Sequence, residues 1–435
     1  MILNTARRSI DDRETAKGGI LMNMHDGALP SDGFDPFDLN KPHALWKEFR
    51  EEQPIFFHEP SGYWVVSRYD DVKAIFDDWK TFSSENAQKP MRPMSEEGKR
   101  ILKEGGFTAY SGLTARVPPD HTRIRKIAQG AFGPRRFKSI EPQIEVIVKE
   151  HLDLLDEAGK GGAVVNFWEI VAFPVPAHVL FTLMGIPDAD VPKIKQYGAS
   201  RGKMTWSDLS DEEMIPVAHD MVAYWKYIHD LLDMRRENPG DDFPSDMLAA
   251  QAEGAEIDNE EIAGLLYSTL FAGHETTSTF MGNYVLTMMD NRDAWEAIKA
   301  DQSLIPNAVE EMLRYMPSVV GWRRKAREAK VIGGVELPAG AEILMITGAA
   351  NRDEAQFPAG EELNIMRSNA RTHLSFGYGI HYCLGFQLAK MEAAILLRQL
   401  SERFPDMRLA PGFEAEYHRN ITFRVPTSVM VTLGK

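Results

Sequence analysis

The sequence predicts a mainly α-helical protein with small β-sheets near its start and in its last third. Helical spacing of apolar residues dominates long segments, while strand-like alternation is confined to short pieces bounded by turn residues. No Ser/Gly- or Pro-rich linker, low-complexity run or internal repeat interrupts this pattern from about Leu39 to Val431. One domain over residues 36–435 is therefore expected, behind a polar, mixed-charge and flexible extension over residues 1–35.

In chain order, HALWKEF from His43 has the first amphipathic helical pattern, and GYWVVSRY from Gly62 reads as a strand. IEPQIEVIVKEHLDLLDE from Ile140 and HDMVAYWKYIHDLLDMRRE from His219 read as long helices. The longest helical candidate runs from Asp258 to about Asn291. Asp258 and Glu261 form a capping-box pattern, and Ile262, Leu265, Leu266, Thr269 and Leu270 form an apolar stripe. Such a helix would be on the order of 50 Å long and would cross the core. Its middle reads AGHETT, placing polar residues where apolar ones are expected. KVIGGVELPAGAEILMITGAANRD from Lys330 follows, with GG and PAG as turns between strands, and LGFQLAKMEAAILLRQLSERF from Leu384 is the last helix.

Composition narrows the function. A net charge of -15 argues against nucleic acid as the main partner, because phosphate binding needs a positive field. Apolar runs such as YWVV fall far short of the roughly 20 residues that span a bilayer, and no signal-peptide apolar region opens the chain. One cysteine in 435 residues allows no intramolecular disulfide, which fits a cytoplasmic location. It also excludes a protein-held iron–sulfur cluster, which needs about four such ligands. No GxGxxG follows a strand, so no dinucleotide site is expected, and no flavin domain has room.

That single cysteine lies in FGYGIHYCLG, Phe376 to Gly385. A lone Cys is commonly a small buried hydrophobe. With His381 two residues away it could also be an activated thiol of a hydrolase. Glycines at 377, 379 and 385 favour a third reading: they let the loop approach a large flat group, and the following helix aims unpaired N–H groups at the sulfur. A thiolate holding iron in a porphyrin accounts for these features together.

FGYGIHYCLG resembles the haem-binding loop of the cytochrome P450 family at Phe376, Gly379, His381, Cys383 and Gly385. AGHETT is similar to the family's central-helix signature, and EEMLRY supplies the Glu-x-x-Arg pair as Glu311 and Arg314. The same spacing recurs at Glu97/Arg100 and Glu416/Arg419, but Glu311 is the one placed in an amphipathic helix directly before the two-stranded excursion and NRD, upstream of the cysteine loop. The resemblance covers about residues 35–435, with Lys390 replacing the family's usual Arg in LAKMEA.

The resemblance implies a triangular prism of helices around haem b, with Cys383 as axial thiolate and Phe376, Gly377 and Gly385 close to it. His121, Arg125, Arg324 and His381 match positions that contact the propionates, and Glu311 with Arg314 forms a buried structural lock. Thr276 and Glu275 would relay protons on the distal side; His274 occupies a variable position and receives no role. Phe271, Ala272, Val319, Val320, Ile421 and Phe423 would line the substrate pocket. Met91 to Leu113 would fold over that pocket, with Met204 to Asp211 as a mobile loop between two lid helices. SEEGKRILKEGGF from Ser95 is similar to haem domains of self-sufficient members fused to a reductase.

The implied activity is monooxygenation of a compact hydrophobic organic molecule by O2, giving hydroxylation, O-demethylation or epoxidation. Electrons would come from NAD(P)H indirectly, through a separate ferredoxin and ferredoxin reductase. Arg123, Lys126, Arg135, Arg136 and Lys390 are candidates for the docking face, which could equally be a solvated basic surface. Alternatives are a peroxide-driven peroxygenase and a non-catalytic haem-thiolate sensor; neither accounts for the acid–alcohol pair.

Overall fold

The computed structural model describes residues 29–108 and 112–434. The expected extension over residues 1–28 and the tip of the covering segment, 109–111, lie outside the described residues. Of the described residues of the 1–35 extension, Leu29, Asp32 and Gly33 are exposed while Phe34 and Asp35 are tied to the fold. Phe34 sits edge-on to Phe49 and His58 at 5.1 and 5.2 Å, and Asp35 pairs with Arg419 at 2.7 Å. An aromatic ring that close to the core loses contact with water, which anchors the chain from here onward.

The helices are α1 (His43–Glu52), α2 (Tyr69–Asp77), α3 (Glu96–Glu104), α4 (Asp120–Ala131), α5 (Pro134–Ala158), α6 (Pro174–Leu183), α7 (Val191–Trp206), α8 (Asp211–Glu237), α9 (Phe243–Ala252), α10 (Asn259–Asp290), α11 (Arg292–Ala300), α12 (Ile305–Tyr315), α13 (Thr347–Ala350) and α14 (Phe386–Arg403). The strands are β1 (Ile55–His58), β2 (Tyr63–Val66), β3 (Phe82–Ser83), β4 (Val165–Asn166), β5 (Trp322–Ala326), β6 (Lys330–Ile332), β7 (Val335–Leu337), β8 (Glu342–Met345), β9 (Arg408–Leu409) and β10 (Met430–Thr432). They form sheets ordered β1-β2-β8-β5-β3, β4-β10-β9 and β6-β7. Parallel pairing of β2 with β8 joins the start of the chain to its last third.

Helix α10 starts where the capping box predicts. Asp258 accepts from the Glu261 N–H, and Glu261 accepts from the Asp258 N–H. Its 32 residues rise about 48 Å at 1.5 Å each. Most are buried all round, the pattern of a helix enclosed by other helices rather than lying at a surface.

The structure corrects two sequence expectations here. Met204, Thr205 and Trp206 are the last turn of α7, so the link to α8 is only Ser207 to Ser210. Met204 and Trp206 are buried because their apolar bulk packs inward; the Trp206 indole stacks on Phe271 at 5.1 Å and meets Phe423 edge-on at 4.8 Å. The stretch from Lys330 also does not stay extended to its end: after β8 the chain turns into α13 ahead of Asn351. β1, whose IFFH run is too short to show periodicity, pairs antiparallel with β2.

Candidate functional site

The loop before α14 is shaped by glycines in left-handed backbone, Gly377 at φ 71° and Gly379 at φ 69°. A side chain at 379 would also bring its Cβ to 3.1 Å from the Phe76 carbonyl, so the approach requires glycine. The loop closes with the Cys383 N–H donating to Phe376 O at 2.9 Å. Gly385 caps α14, and its N–H hydrogen-bonds Cys383, favouring the thiolate. Desolvation wins in the unliganded chain and pushes the thiol up to about 11, against Gly385 and Arg125. A cation bound at this sulfur would reverse that balance.

Behind the loop lies the Glu311–Arg314 pair, both side chains without solvent exposure. Arg314 Nε and Nη2 each donate to the carboxylate at 2.7 Å, a bidentate geometry. Its remaining N–H groups reach Asn351 O, Gly360 O and Glu362 O. Asn351 in turn accepts from the Leu374 N–H at 2.7 Å and donates to Ser375 Oγ, two residues before the cysteine loop turns. Arg367, which carries no motif in the sequence, completes the lock at 3.1 Å from Glu311. The Glu97/Arg100 pair is an exposed contact, and Arg419 pairs with Asp35 rather than Glu416.

One cavity is lined by Phe376, Gly377, His381, Cys383 and Gly385 on one side and by Phe271, Ala272, Thr276 and Thr277 of α10 on the other. Arg125 and Arg324 also face it. Arg125 donates to Tyr382 O, Arg324 to Arg323 O, and His381 Nε2 lies 3.1 Å from Ser84 Oγ. His121 lies tilted against His381 at 4.4 Å between ring centroids, and neither of its ring nitrogens has a hydrogen-bond partner among the described residues. Burial and mutual repulsion among these groups push His121 down to about 4 and His381 to about 2, while burial lowers Arg324 to about 10. No carboxylate among the described residues pairs with any of the four. Gathering cations and donors in a buried place without an acid is costly unless an anionic group completes the set.

On the distal wall, Thr276 Oγ1 donates to Ala272 O at 2.6 Å, across one turn of α10. Glu275 does not line the cavity; it faces away, 3.3 Å from His274 Nε2. Of the expected pocket residues, Phe271, Ala272, Val319 and Phe423 line the cavity. Val320 and Ile421 do not. Alternation along extended chain turns Val320 to the opposite face, where it packs with Trp46 and Ile346. Ile421 packs beside Trp206 and Phe423 without bordering the cavity. Trp206, Trp322, Leu265 and Glu392 line it as well. Glu392 is the Glu of LAKMEA, the one signal that could have singled it out; desolvation holds its carboxyl well above the usual range, and Oε2 has no partner.

The candidate docking residues divide. Arg123 pairs with Glu261, Arg136 with Asp241 and Asp246, and Lys390 with Glu310, so these three are committed within the fold. Lys126 and Arg135 are exposed.

The model of the family described as Cytochrome P450 matches residues 39–405. The chain belongs to that family. Among curated relatives, cytochrome P450 107B1 of Saccharopolyspora erythraea is 34% identical, covering 87% of this chain and 91% of its own. Mycinamicin IV hydroxylase/epoxidase of Micromonospora griseorubida is 30% identical, covering 91% of this chain and 98% of that protein. Among solved structures, cytochrome P450 CREJ in complex with (4-ethylphenyl) dihydrogen phosphate superposes with a TM-score of 0.90 at 48% identity, covering 92% of this chain and 99% of that one. An intact type IV self-sufficient cytochrome P450 monooxygenase matches at 33% identity and a TM-score of 0.88; this chain corresponds to 53% of that longer protein.

Membership makes the chain a haem-thiolate monooxygenase, an oxidoreductase that uses O2, a substrate and redox partners. The residues fit the group: a thiol aimed into the cavity, glycines that clear a flat face, and cationic donors lacking an acid. Cys383 would hold the iron, and Arg125, Arg324, His381 and His121 would receive the carboxylates. When bound, haem supplies O2 activation and transfer of one oxygen atom. No helix among the described residues is long and apolar enough to cross a membrane.

Proposed function

We propose that this P450 hydroxylates a compact alkyl-substituted aromatic carrying a phosphate ester, using haem b and electrons from a separate ferredoxin and its NAD(P)H-dependent reductase in the cytoplasm. The observation that carries the substrate class is the likeness to the CREJ complex, at 48% identity over nearly the whole chain. The cavity supports it with an apolar wall of Phe76, Phe271, Trp322, Val319 and Phe423, which suits an aromatic body. Toward α7 it turns polar. Ser268 lines the cavity with Oγ unpartnered, and the Arg201 guanidinium donates to Ser268 O and Tyr267 O while lying 4.4 Å over the Tyr267 ring. Arg201 is buried and has no carboxylate among the described residues, so an anionic head nearby would be welcome.

In this reading the protein's own groups orient the substrate alkyl end toward the Cys383 side, exclude water with the aromatic wall, and carry protons past Thr276. The ferredoxin docks through Lys126 and Arg135 beside the cysteine loop. The acid–alcohol pair Glu275 and Thr276 favours O2 with two electrons over a peroxide-driven reaction. Titrating the ferric protein with 4-ethylphenyl phosphate and with 4-ethylphenol, and following the Soret band, tests the class. A blue shift that saturates at lower concentration for the phosphate is expected; equal affinity, or no shift with the phosphate, would discard the substrate assignment and leave the family assignment intact.

A further inference from the structure

Glu310 stands beside the lock residue Glu311 in α12, at a position to which the sequence gives no role. One step along a helix turns a side chain by about 100°, so while Glu311 reaches Arg314, Glu310 meets a different set of partners. Lys390 Nζ of α14 donates to its Oε1 at 2.8 Å, and His373 Nε2 donates to its Oε2 at 3.2 Å. The His373 side chain is 2% exposed and that of Glu310 18%, whereas Lys390 is 31% exposed.

The other ring nitrogen ties this group to the cysteine loop. The Ser375 N–H donates to His373 Nδ1 at 3.2 Å, so Nδ1 keeps its lone pair and the ring offers its proton from Nε2 to the carboxylate. Ser375 is followed by Phe376, whose carbonyl accepts from the Cys383 N–H and whose ring lies 5.6 Å from that of His373. Ammonium, carboxylate, imidazole and loop amide thus stand in series. A carboxylate that fixes an imidazole through one nitrogen commonly orients a histidine that ligates a metal. Here the imidazole orients backbone instead.

Charge follows the same line. Burial raises the Glu310 carboxyl, but the hydrogen bonds from His373 and Lys390 outweigh it and hold the group below the usual carboxylate range. Its charge is felt at the residue next to Cys383: burial, then Glu310 and the sulfur, push the Tyr382 hydroxyl up to about 12. The loop already has an anchor in Asn351, which reaches it through a neutral amide. Glu310 adds a negative charge, which resists the arrival of an electron nearby, and Lys390 offsets that charge. The potential of a haem follows the donation of its axial ligand and the groups around it. We propose that Glu310 and Lys390, linked to the cysteine loop through His373, are positioning residues that set the charge felt at the Cys383 sulfur and thereby the reduction potential of the bound haem. The proposal rests on the reading of Cys383 as the iron ligand.

Reduction potentials of the haem-loaded protein and its variants, measured near pH 8, test it. Glu310→Gln removes the negative charge and should raise the potential. Lys390→Met leaves that charge without its counter-ion and should lower it, while Lys390→Arg should stay at the wild-type value. Both disruptive substitutions break the same ion pair, so a merely structural pair would make them act alike. Shifts of the same sign, or no shift in either, overturn the proposal. The carbonyl stretch of the reduced, CO-bound protein gives a second reading. Glu310→Gln should raise its frequency, because a sulfur that donates less passes less electron density to CO, and Lys390→Met should lower it; a stretch unmoved in both overturns the proposal. The link through His373 is read by hydrogen exchange: His373→Phe should speed exchange of the Ser375 amide by about tenfold, the worth of one hydrogen bond. Unchanged exchange would remove His373 from the series and overturn the proposed link. The Soret band of the reduced, CO-bound form, recorded for each protein, separates these failures from that of the ligation reading. If the wild type lacks the strongly red-shifted band, both readings fall; if every protein keeps it and the potentials do not split, the ligation stands and the charge control falls.

Discussion

On the Cys383 side of the cavity, polar groups are paired in an unbroken sequence: Glu311 to Arg314, Arg314 to Asn351, Asn351 to Leu374 and Ser375, and Cys383 to Phe376. On the α10 side they are not. Ser268 Oγ, Thr279 Oγ1, His274 Nε2 and Trp206 Nε1 are buried without hydrogen-bond partners. A buried unpaired polar atom costs on the order of 1–3 kcal/mol, so α10 forgoes stability that the chain of bonds holding the cysteine loop keeps. On the cysteine side the unpaired atoms are those of His121 and Glu392, which border the place of the haem. The difference teaches what each wall is for. The proximal wall must hold one sulfur in one place through every turnover, and redundant hydrogen bonds do that. The distal wall must accept groups that come and go, and Ser268 and Trp206, which line the cavity with an open hydroxyl and an open indole N–H, suit water and substrate.

The largest blow to this contrast is Cys383→Ala, which removes the group the proximal wall exists to hold. The CO-bound, reduced protein should lose its strongly red-shifted Soret band completely. An ordinary imidazole-like band already in the unmutated protein would mean that a side chain other than Cys383, the one cysteine, ligates the iron. Next is Arg314→Ala. It leaves Glu311 buried with only Arg367 and the Asn364 N–H and takes the side-chain donor from the Asn351 and Gly360 carbonyls, while Glu362 O keeps Arg367. Breaking a buried pair in this way costs about 3–5 kcal/mol. A fall of several degrees in the melting temperature and poor haem retention are expected. A thermal scan that matches the wild type would show the lock to be dispensable.

Thr276→Ala tests the other wall and should behave in the opposite way. The residue donates only to a carbonyl of its own helix, so folding should hardly notice its loss. Coupling of NAD(P)H use to product should fall by about tenfold, equivalent to about 1.4 kcal/mol, with peroxide taking its place. A variant that melts early but stays coupled would invert the contrast between the walls.

How much of this the sequence discloses differs between the same two regions. The proximal wall is legible because backbone demands fix residue type: Gly377 and Gly379 need positive φ, and a bidentate lock needs Glu and Arg one turn apart. Even there Arg367 escapes, since it joins the lock across 56 positions with no local spacing to betray it. The distal wall is only half legible. AGHETT marks where polar groups interrupt a core helix, but the seat of His274 against Gly198 and the attraction of Glu275 to Lys195 both come from packing against α7, and no local pattern encodes that packing. Trp206 is misread for the same reason. A chain ending ahead of Ser207 and Asp208 resembles a loop until its burial against Phe271 and Phe423 is seen. Val320 is misassigned through a one-residue parity that only the extended backbone beside Thr422 sets.

The smallest expected effect concerns Glu392, where the two walls meet. Its carboxyl borders the cavity from α14 with Oε2 unpaired, and burial alone raises its pKa well above the usual value. In the folded protein it is therefore protonated at pH values where the unfolded chain has already lost that proton. Between the unfolded and the raised folded value, the native state binds more protons, so stability falls as pH rises through that window. Glu392→Gln keeps the shape and a donor but removes the titration. The variant should match the wild type near pH 4, below the unfolded value, and become the more stable of the two toward pH 8, by on the order of 1 kcal/mol. Urea melts at the two pH values measure the difference. A variant that loses stability equally at both would mean that the carboxyl makes a specific contact that the amide cannot copy. In that case the paired character of the proximal wall would extend one helix turn further toward the cavity than the present arrangement of partners shows.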